Sequence, residues 1–83
     1  MTYTAVVSHQ NRASGRFAAA IEDHGWIVAD PNSPDEVQVN DELVGIARDH
    51  GDQVVWNRTQ HQKVTIYVEA FDAGPDARDA LLR

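Results

Sequence analysis

The tripeptide Asp-His-Gly occurs twice in this chain, at 23–25 and at 49–51, and gives it two fixed points. Each copy follows a run whose apolar residues suit a helix and precedes a run rich in β-branched and aromatic residues. The first joins Ala20-Ile21-Glu22 to Trp26-Ile27-Val28-Ala29, and the second joins Ile46-Ala47-Arg48 to Gln53-Val54-Val55-Trp56. Gly just past a helix end can take the left-handed conformation that closes the last turn. His in that turn can donate to the free carbonyls and complement the helix dipole. The tripeptide therefore reads as a helix stop, and two copies predict two helix-to-strand junctions. Two His and two Asp are also acceptable zinc ligands, but only if the two junctions converge in space.

The segments between these points follow from periodicity. Residues 3–7 are β-branched and aromatic and predict a first strand. Over 12–24, Phe17, Ala20, Ile21 and His24 recur at i, i+3, i+4 and i+7, which predicts a helix capped by Asn11 or Ser14. Residues 26–29 predict a second strand. Ser33-Pro34-Asp35-Glu36 is a capping-box pattern with Pro at the first helical position, and predicts a second helix over 34–50. In the alternative, Val37-Gln38-Val39 is a strand and a shorter helix starts at Asp41, giving a ferredoxin-like βαββαβ order. Residues 53–58 and 63–71 predict a hairpin turning over 59–62. Its last strand alternates, with Val64, Ile66, Val68 and Ala70 on one face and Thr65, Tyr67, Glu69 and Phe71 on the other. Residues 72–83 predict a strand break followed by a short terminal helix or a frayed tail.

Strand–helix–strand units are nearly always right-handed crossovers, which makes the first three predicted strands parallel. The expected fold is a single α/β domain over 1–83. It is a two-layer βαβαββ arrangement of three parallel strands and an antiparallel hairpin strand, with helices mainly on one face. A ferredoxin-like α+β sandwich is the alternative.

Charge and composition narrow the function. The net charge of −6 disfavours general nucleic-acid binding, which depends on Lys and Arg against phosphate, and suits a basic protein partner. The chain has no cysteine, so disulfides, thiolate metal sites and cysteine nucleophiles are all excluded. No apolar run approaches the roughly 18 residues of a membrane span, and Met1-Thr2-Tyr3-Thr4 has no basic start leading into an apolar stretch. The expected location is the cytoplasm. Neither GxGxxG nor a Walker pattern is present, and no cofactor is expected.

Two surfaces are candidates for function. In a parallel sheet, ligands bind at the C-terminal edge of the strands. That edge would hold Ser8, His9, Asn11, Arg12, Asp30, Asn32, Ser33, Asn57 and Arg58, with His61 beside them. Arg12, Arg16, Arg58 and Lys63, four of the seven cations, map near it. Ser8, His9, Asn11, Arg12 and Arg58 are the candidate ligand-binding residues, for a phosphate or carboxylate. Ser8, His9 and Asp30 have the residue types of a hydrolytic triad. Neighbours on a strand point to opposite sides, however, and no nucleophile elbow surrounds Ser8, so no catalytic residue is assigned. The second surface is aromatic. Tyr67 and Phe71 share a strand face with Glu69, and Trp56 stands on the neighbouring strand. Trp56, Tyr67, Glu69 and Phe71 are the candidate protein-binding residues, because exposed aromatic patches mark interfaces.

Tyr3, Asn11, Phe17, Ala20, Gly25, Val28 and Asp30-Pro31 together resemble the first strand–helix–strand of nucleoside deoxyribosyltransferase-like proteins, over about a third of the chain. The resemblance implies a nucleotide-like ligand. The chain departs from that family in its length, in lacking the usual Gly-Pro pair near its start, and in offering no Glu that matches the catalytic one.

The expected function is that of a small acidic non-enzymatic interaction protein, an inhibitor or adaptor of the kind phages and mobile elements encode. It would bind another protein through the aromatic face and could form a homodimer through that face or the last strand's edge. The alternative is a small-ligand or nucleotide-phosphate binding domain, or an enzyme, using the polar edge.

Overall fold

Ala5 and Val7 of β1 (Tyr3–Gln10), Phe17, Ala19 and Ile21 of β2 (Phe17–Ile21) and Ile27 and Ala29 of β3 (Gly25–Pro31) recur at every second position and are apolar and buried, the mark of strands with one face on a core. A computed structural model describes residues 1–83. It adds β4 (Glu42–Ile46), β5 (Gly51–Asn57) and β6 (Gln62–Ala73), a single 3₁₀ turn at Pro34–Glu36, and one helix, α1 (Pro75–Leu82). The six strands form a closed barrel in the order β1-β2-β3-β6-β5-β4. Every pairing is antiparallel, including the β1–β4 pair that closes the ring. The architecture is thus two three-stranded meanders, joined by the segment from 32 to 41.

The α/β expectation, whether βαβαββ or ferredoxin-like, is overturned: no strand pairs in parallel and neither predicted internal helix exists. Residues 17–21 form β2, not part of a helix. Phe17, Ala19 and Ile21 point into the barrel, while Ala18 and Ala20 point outward. Phe17 and Ile21 therefore share a face in a strand as well as in a helix, so the spacing does not discriminate. The capping box at Ser33-Pro34-Asp35-Glu36 yields only the 3₁₀ turn, with no side-chain cap from Ser33. Val37, Gln38 and Val39 form neither helix nor strand.

Both Asp-His-Gly copies are hairpin turns, not helix stops. In the β2–β3 turn, the His24 N–H donates to the Ile21 carbonyl at 3.0 Å, and Asp23 and Gly25 take φ values of 66° and 71°. A Cβ on Gly25 would stand 2.6 Å from the Ala73 carbonyl oxygen, so glycine also permits the close approach of β6. In the β4–β5 turn, the Gln53 side chain staples the loop. Its Oε1 accepts from the Ala47 N–H at 2.9 Å, and its Nε2 donates to the carbonyls of Ala47 and Asp49 at 2.8 and 2.9 Å. Both turns lie at the same end of the barrel. There His24 packs edge-on against Tyr3, and His50 lies tilted against Phe71, with ring centroids 5.0 and 4.7 Å apart. No group of three or more His, Asp or Glu is placed to hold a metal ion.

Irregularities in β1 and β4 shape the wall. The β1–β2 register shifts between Val7 and His9, so Ser8 is an extra residue in β1. In β4 the register with β1 shifts at Gly45, whose φ is 90°, and this lets Leu43 and Ile46 both face the core although they are three residues apart.

Small side chains (Ala5, Ala19, Ala29) and large ones (Phe17, Ile27, Leu43, Ile66) share the interior, as the taper of a narrow barrel requires. The end opposite the Asp-His-Gly turns is closed by Val37 and by a buried polar cluster. Asp41 Oδ2 accepts from the Gln38 N–H at 3.0 Å, from Asn57 Nδ2 at 2.9 Å and from Gln60 Nε2 at 2.6 Å. Asn57 is fully buried. Its Nδ2 also donates to the Glu36 carbonyl, and its Oδ1 accepts from the Gln60 N–H.

Helix α1 packs mainly on the outside of β3. Ala18 and Val28 point away from the interior, yet both are fully buried on the side the helix covers. Arg78 lies 4.5 Å from the Trp26 ring centroid. The last carbonyls of α1 accept from Asn11 Nδ2 (Leu82, 2.7 Å) and Arg16 Nη1 (Leu81, 3.2 Å), groups a free helix end would leave to water.

Candidate functional site

The outer wall opposite α1 is built by β4, β5 and β6. The β5–β6 register runs without a break from Gly51↔Val68 to Asn57↔Gln62. Val64, Ile66 and Val68 face inward from β6, so the alternation turns Lys63, Thr65 and Tyr67 outward, opposite Trp56, Val54 and Asp52 of β5. Val44 of β4 pairs with Trp56, and Thr4 of β1 pairs with Val44. The wall leaves Val54 65%, Tyr67 47% and Trp56 40% exposed, with Val6 of β1 at 44%. These are four of the six large apolar side chains exposed on the molecule, the others being Met1 and Val39.

Charge on this wall is polarised along the strands. Arg58 at the upper end is paired with Glu42 at 2.7 Å, and Glu69 at the lower border lies 3.5 Å from Arg16. Lys63, beside Trp56, and Asp52, beside Tyr67, have no ion-pair partner. They are separated by four residues along the hairpin, about 13 Å, which is too far for a salt bridge within one chain.

The four aromatic-face candidates are therefore divided. Trp56 and Tyr67 stand on the open wall, and Glu69 lies at its border toward β3. Phe71 does not share their face. Its side chain packs against the core at the Asp-His-Gly end, under Arg48, whose guanidinium is 5.8 Å from the ring centroid and pairs with Asp72. The β3–β6 register shifts opposite Ala70, and the simple alternation of the last strand ends there. Val54, Val44, Lys63 and Asp52 complete the wall and were missed from sequence. The hairpin held the signal: once its turn is placed at 58–61, the inward set of β6 dictates the outward set of β5.

The polar candidates are dispersed. Ser8 and His9 do meet, because the bulge at Ser8 removes the usual divergence of strand neighbours. Ser8 Oγ is 2.7 Å from His9 Nδ1 and accepts from Trp26 Nε1 at 3.0 Å. Asp30 takes no part in this contact, since its two oxygens accept from Arg16 Nε and Nη2 at 2.8 and 2.9 Å. That paired bond holds the Arg16 guanidinium above its usual pKa, against the opposing effect of burial. A triad of Ser8, His9 and Asp30 is thus not formed. Asn11 is used locally, with Oδ1 accepting from the N–H groups of Ala13 and Ser14 and Nδ2 on the Leu82 carbonyl. Arg58 is paired with Glu42. Only Arg12 opens on a cavity, a cleft of about 220 Å³ lined by Gln10, Arg12, Gly15, Pro34, Asp35 and Gln38. It continues into a second space of about 310 Å³ bounded by Gln10, Arg12, Gln38 and Val39.

No protein-family model matches the chain, and no curated protein or solved structure is significantly similar to it. The meaning of the site rests on its own geometry. The resemblance to the deoxyribosyltransferase-like strand–helix–strand does not extend to structure. Phe17, Ala20, Gly25 and Val28 belong to a β2–β3 hairpin, and no helix follows Asn11. No helix of the structure is long and apolar enough to cross a membrane.

Proposed function

We propose that this protein is a small non-enzymatic interaction module that binds another protein chain through the outer wall of β4, β5 and β6, in the manner of an inhibitor or adaptor. The observation that supports this reading is the exposed set Val54, Trp56 and Tyr67, bordered by half-buried Val44, on one side of the barrel while α1 covers the other. Exposed aromatic side chains with an apolar neighbour between them have the composition of an interface centre, where Trp and Tyr carry much of the binding energy. The charged residues lie at the ends of the strip, as at an interface rim.

The test is capture on tagged protein, comparing wild type with a Trp56→Ala/Tyr67→Ser variant. The expected result is loss of every stoichiometric association, since truncating such residues costs about 2 kcal/mol or more of binding each. Both residues lie on the outer wall, 40% and 47% exposed, so the unfolding midpoint should fall by less than for a sealed core residue and the variant should remain folded. A variant that keeps all wild-type associations would defeat the proposal.

The Arg12 cleft favours a second reading, a binding site for a small anionic or phosphate-bearing ligand. Arg12 has no ion-pair partner and lines both parts of the cleft. Inorganic phosphate and simple nucleotides should then raise the melting temperature of wild type, and Arg12→Ala should abolish the shift. No shift with any of them, or an equal shift in Arg12→Ala, would end this reading.

A further inference from the structure

The polarised charge of the outer wall says which partner fits it. The wall carries three outward rows: Trp56 with Lys63 above, Val54 with Thr65 in the middle, and Asp52 with Tyr67 below. Each end of this strip has one aromatic ring and one unpaired charge, and the charges are opposite. A two-fold axis lying in the surface along the middle row exchanges the two ends. It places the upper row of one chain on the lower row of the other. Lys63 then lies directly over the Tyr67 ring, Trp56 over Asp52 and Val54 over Val54 at the axis, while Lys63 and Asp52, and Trp56 and Tyr67, meet diagonally. Such a surface is self-complementary, the requirement for an isologous dimer.

We infer that the partner of the outer wall is a second copy of this chain, docked face to face about that axis. The inference rests on the wall being an interaction surface and goes further by naming the occupant. The pairing repeats twice by symmetry, so two Lys63–Asp52 contacts and two Trp56–Tyr67 contacts form at once. Within one chain neither pair can form, because its members are about 13 Å apart along the hairpin. The alternative two-fold axis, parallel to the strands and between β5 and β6, would keep each row at its own level, so that Lys63 meets Lys63 and Asp52 meets Asp52 diagonally, and like-charge repulsion disfavours it.

The experiment is sedimentation velocity with light scattering over a wide concentration range, on wild type, Trp56→Ala, Lys63→Glu, Asp52→Lys and the Lys63→Glu/Asp52→Lys double variant. Wild type is expected to dimerise. Each single charge reversal should raise the dimer dissociation constant about tenfold or more, with a smaller effect at high salt. The double reversal should restore the wild-type value, because it exchanges the charges without changing their complementarity. Trp56→Ala should be monomeric. Four outcomes overturn the inference: a wild type that stays monomeric throughout, single reversals that leave the dimer unchanged, a double reversal as weak as the singles, or an unaffected Trp56→Ala. A monomeric wild type defeats only the choice of partner, since capture of another protein that depends on Trp56 and Tyr67 would still stand. A dimer indifferent to Trp56 would count against the wall itself as the interface.

Discussion

Phe17→Ala is expected to cost about 3–5 kcal/mol of folding stability, read as a lower denaturant midpoint at unchanged slope. Phe17 is fully buried and is the bulkiest of the side chains sealed inside the barrel. It stands at the start of β2, paired with Gln10 of β1 and Ala29 of β3. Its cross-strand partner Ala29 and its same-face neighbour Ala19 are small, and both are fully buried. Neither can expand to fill the space a missing ring leaves, so the loss combines the transfer term with an unrelaxed cavity. A domain of this size is stabilised by about 5–15 kcal/mol in total, so the variant should melt near or below ordinary growth temperature if wild type lies at the low end. Phe17→Leu should recover most of the loss. A midpoint for Phe17→Ala within about 1 kcal/mol of wild type would show that the interior is not packed as described.

Asp41→Ala is the second large effect, expected to cost about 3 kcal/mol. One oxygen of Asp41 accepts three hydrogen bonds at the closed end of the barrel. Hydrogen bonds to a charged group contribute about 1.5–3 kcal/mol each, and removing the acceptor leaves buried donors without partners. Asn57 Nδ2 would keep only the Glu36 carbonyl, and the Gln38 N–H would lose its partner. The damage should reach the β1–β4 seam, because the Asp41 carbonyl accepts from the Val7 N–H and the Asn40 N–H donates to the Val7 carbonyl. Hydrogen exchange at Val7 and Asn40 should therefore accelerate more than at Ile27 or Val28 in β3. Uniform acceleration would mean that the cluster contributes to global stability without holding that seam. Asp41→Asn should cost less, because its oxygen can still accept.

The elements legible in the sequence are those whose pattern is local. The β5–β6 hairpin, the strand beginning at Tyr3, the strand around Trp26–Ala29 and the terminal helix all occur close to where periodicity and turn residues place them. Residues 17–21 were not legible, for a definite reason. Ala18 faces out but is covered by α1, so β2 is apolar on both sides and its two-residue period disappears into a run of alanines. Alanine in turn has the highest helix propensity, and local preference then points the wrong way. In β4 the bulge at Gly45 puts Leu43 and Ile46 three residues apart on one face, which imitates a helical repeat. The same device at Ser8 brings its side chain to His9, against the simple rule of alternation.

The candidate site divides along the same line. Trp56 and Tyr67 could be chosen from the hairpin pattern alone. Phe71 could not be separated from them, because the register shift opposite Ala70 arises from pairing with β3, a contact distant in sequence. The dispersal of Ser8, His9, Asn11 and Arg58 has another cause. Ser8, Asn11 and Arg58 each find a partner on a different element, Trp26, Leu82 and Glu42, and His9 bonds only to Ser8.

The sequence by itself determined where the chain breaks at the two Asp-His-Gly sites and at the β5–β6 turn, and the two-residue alternation of β6, since glycine conformation and strand pleat act over a few residues. It did not distinguish hairpin turns from helix stops. Tertiary structure decided that 17–21 and 42–46 are strands, that the ring closes through β1 and β4, and that one wall is left uncovered. Those outcomes depend on which surfaces bury one another, and burial is a property of the whole chain.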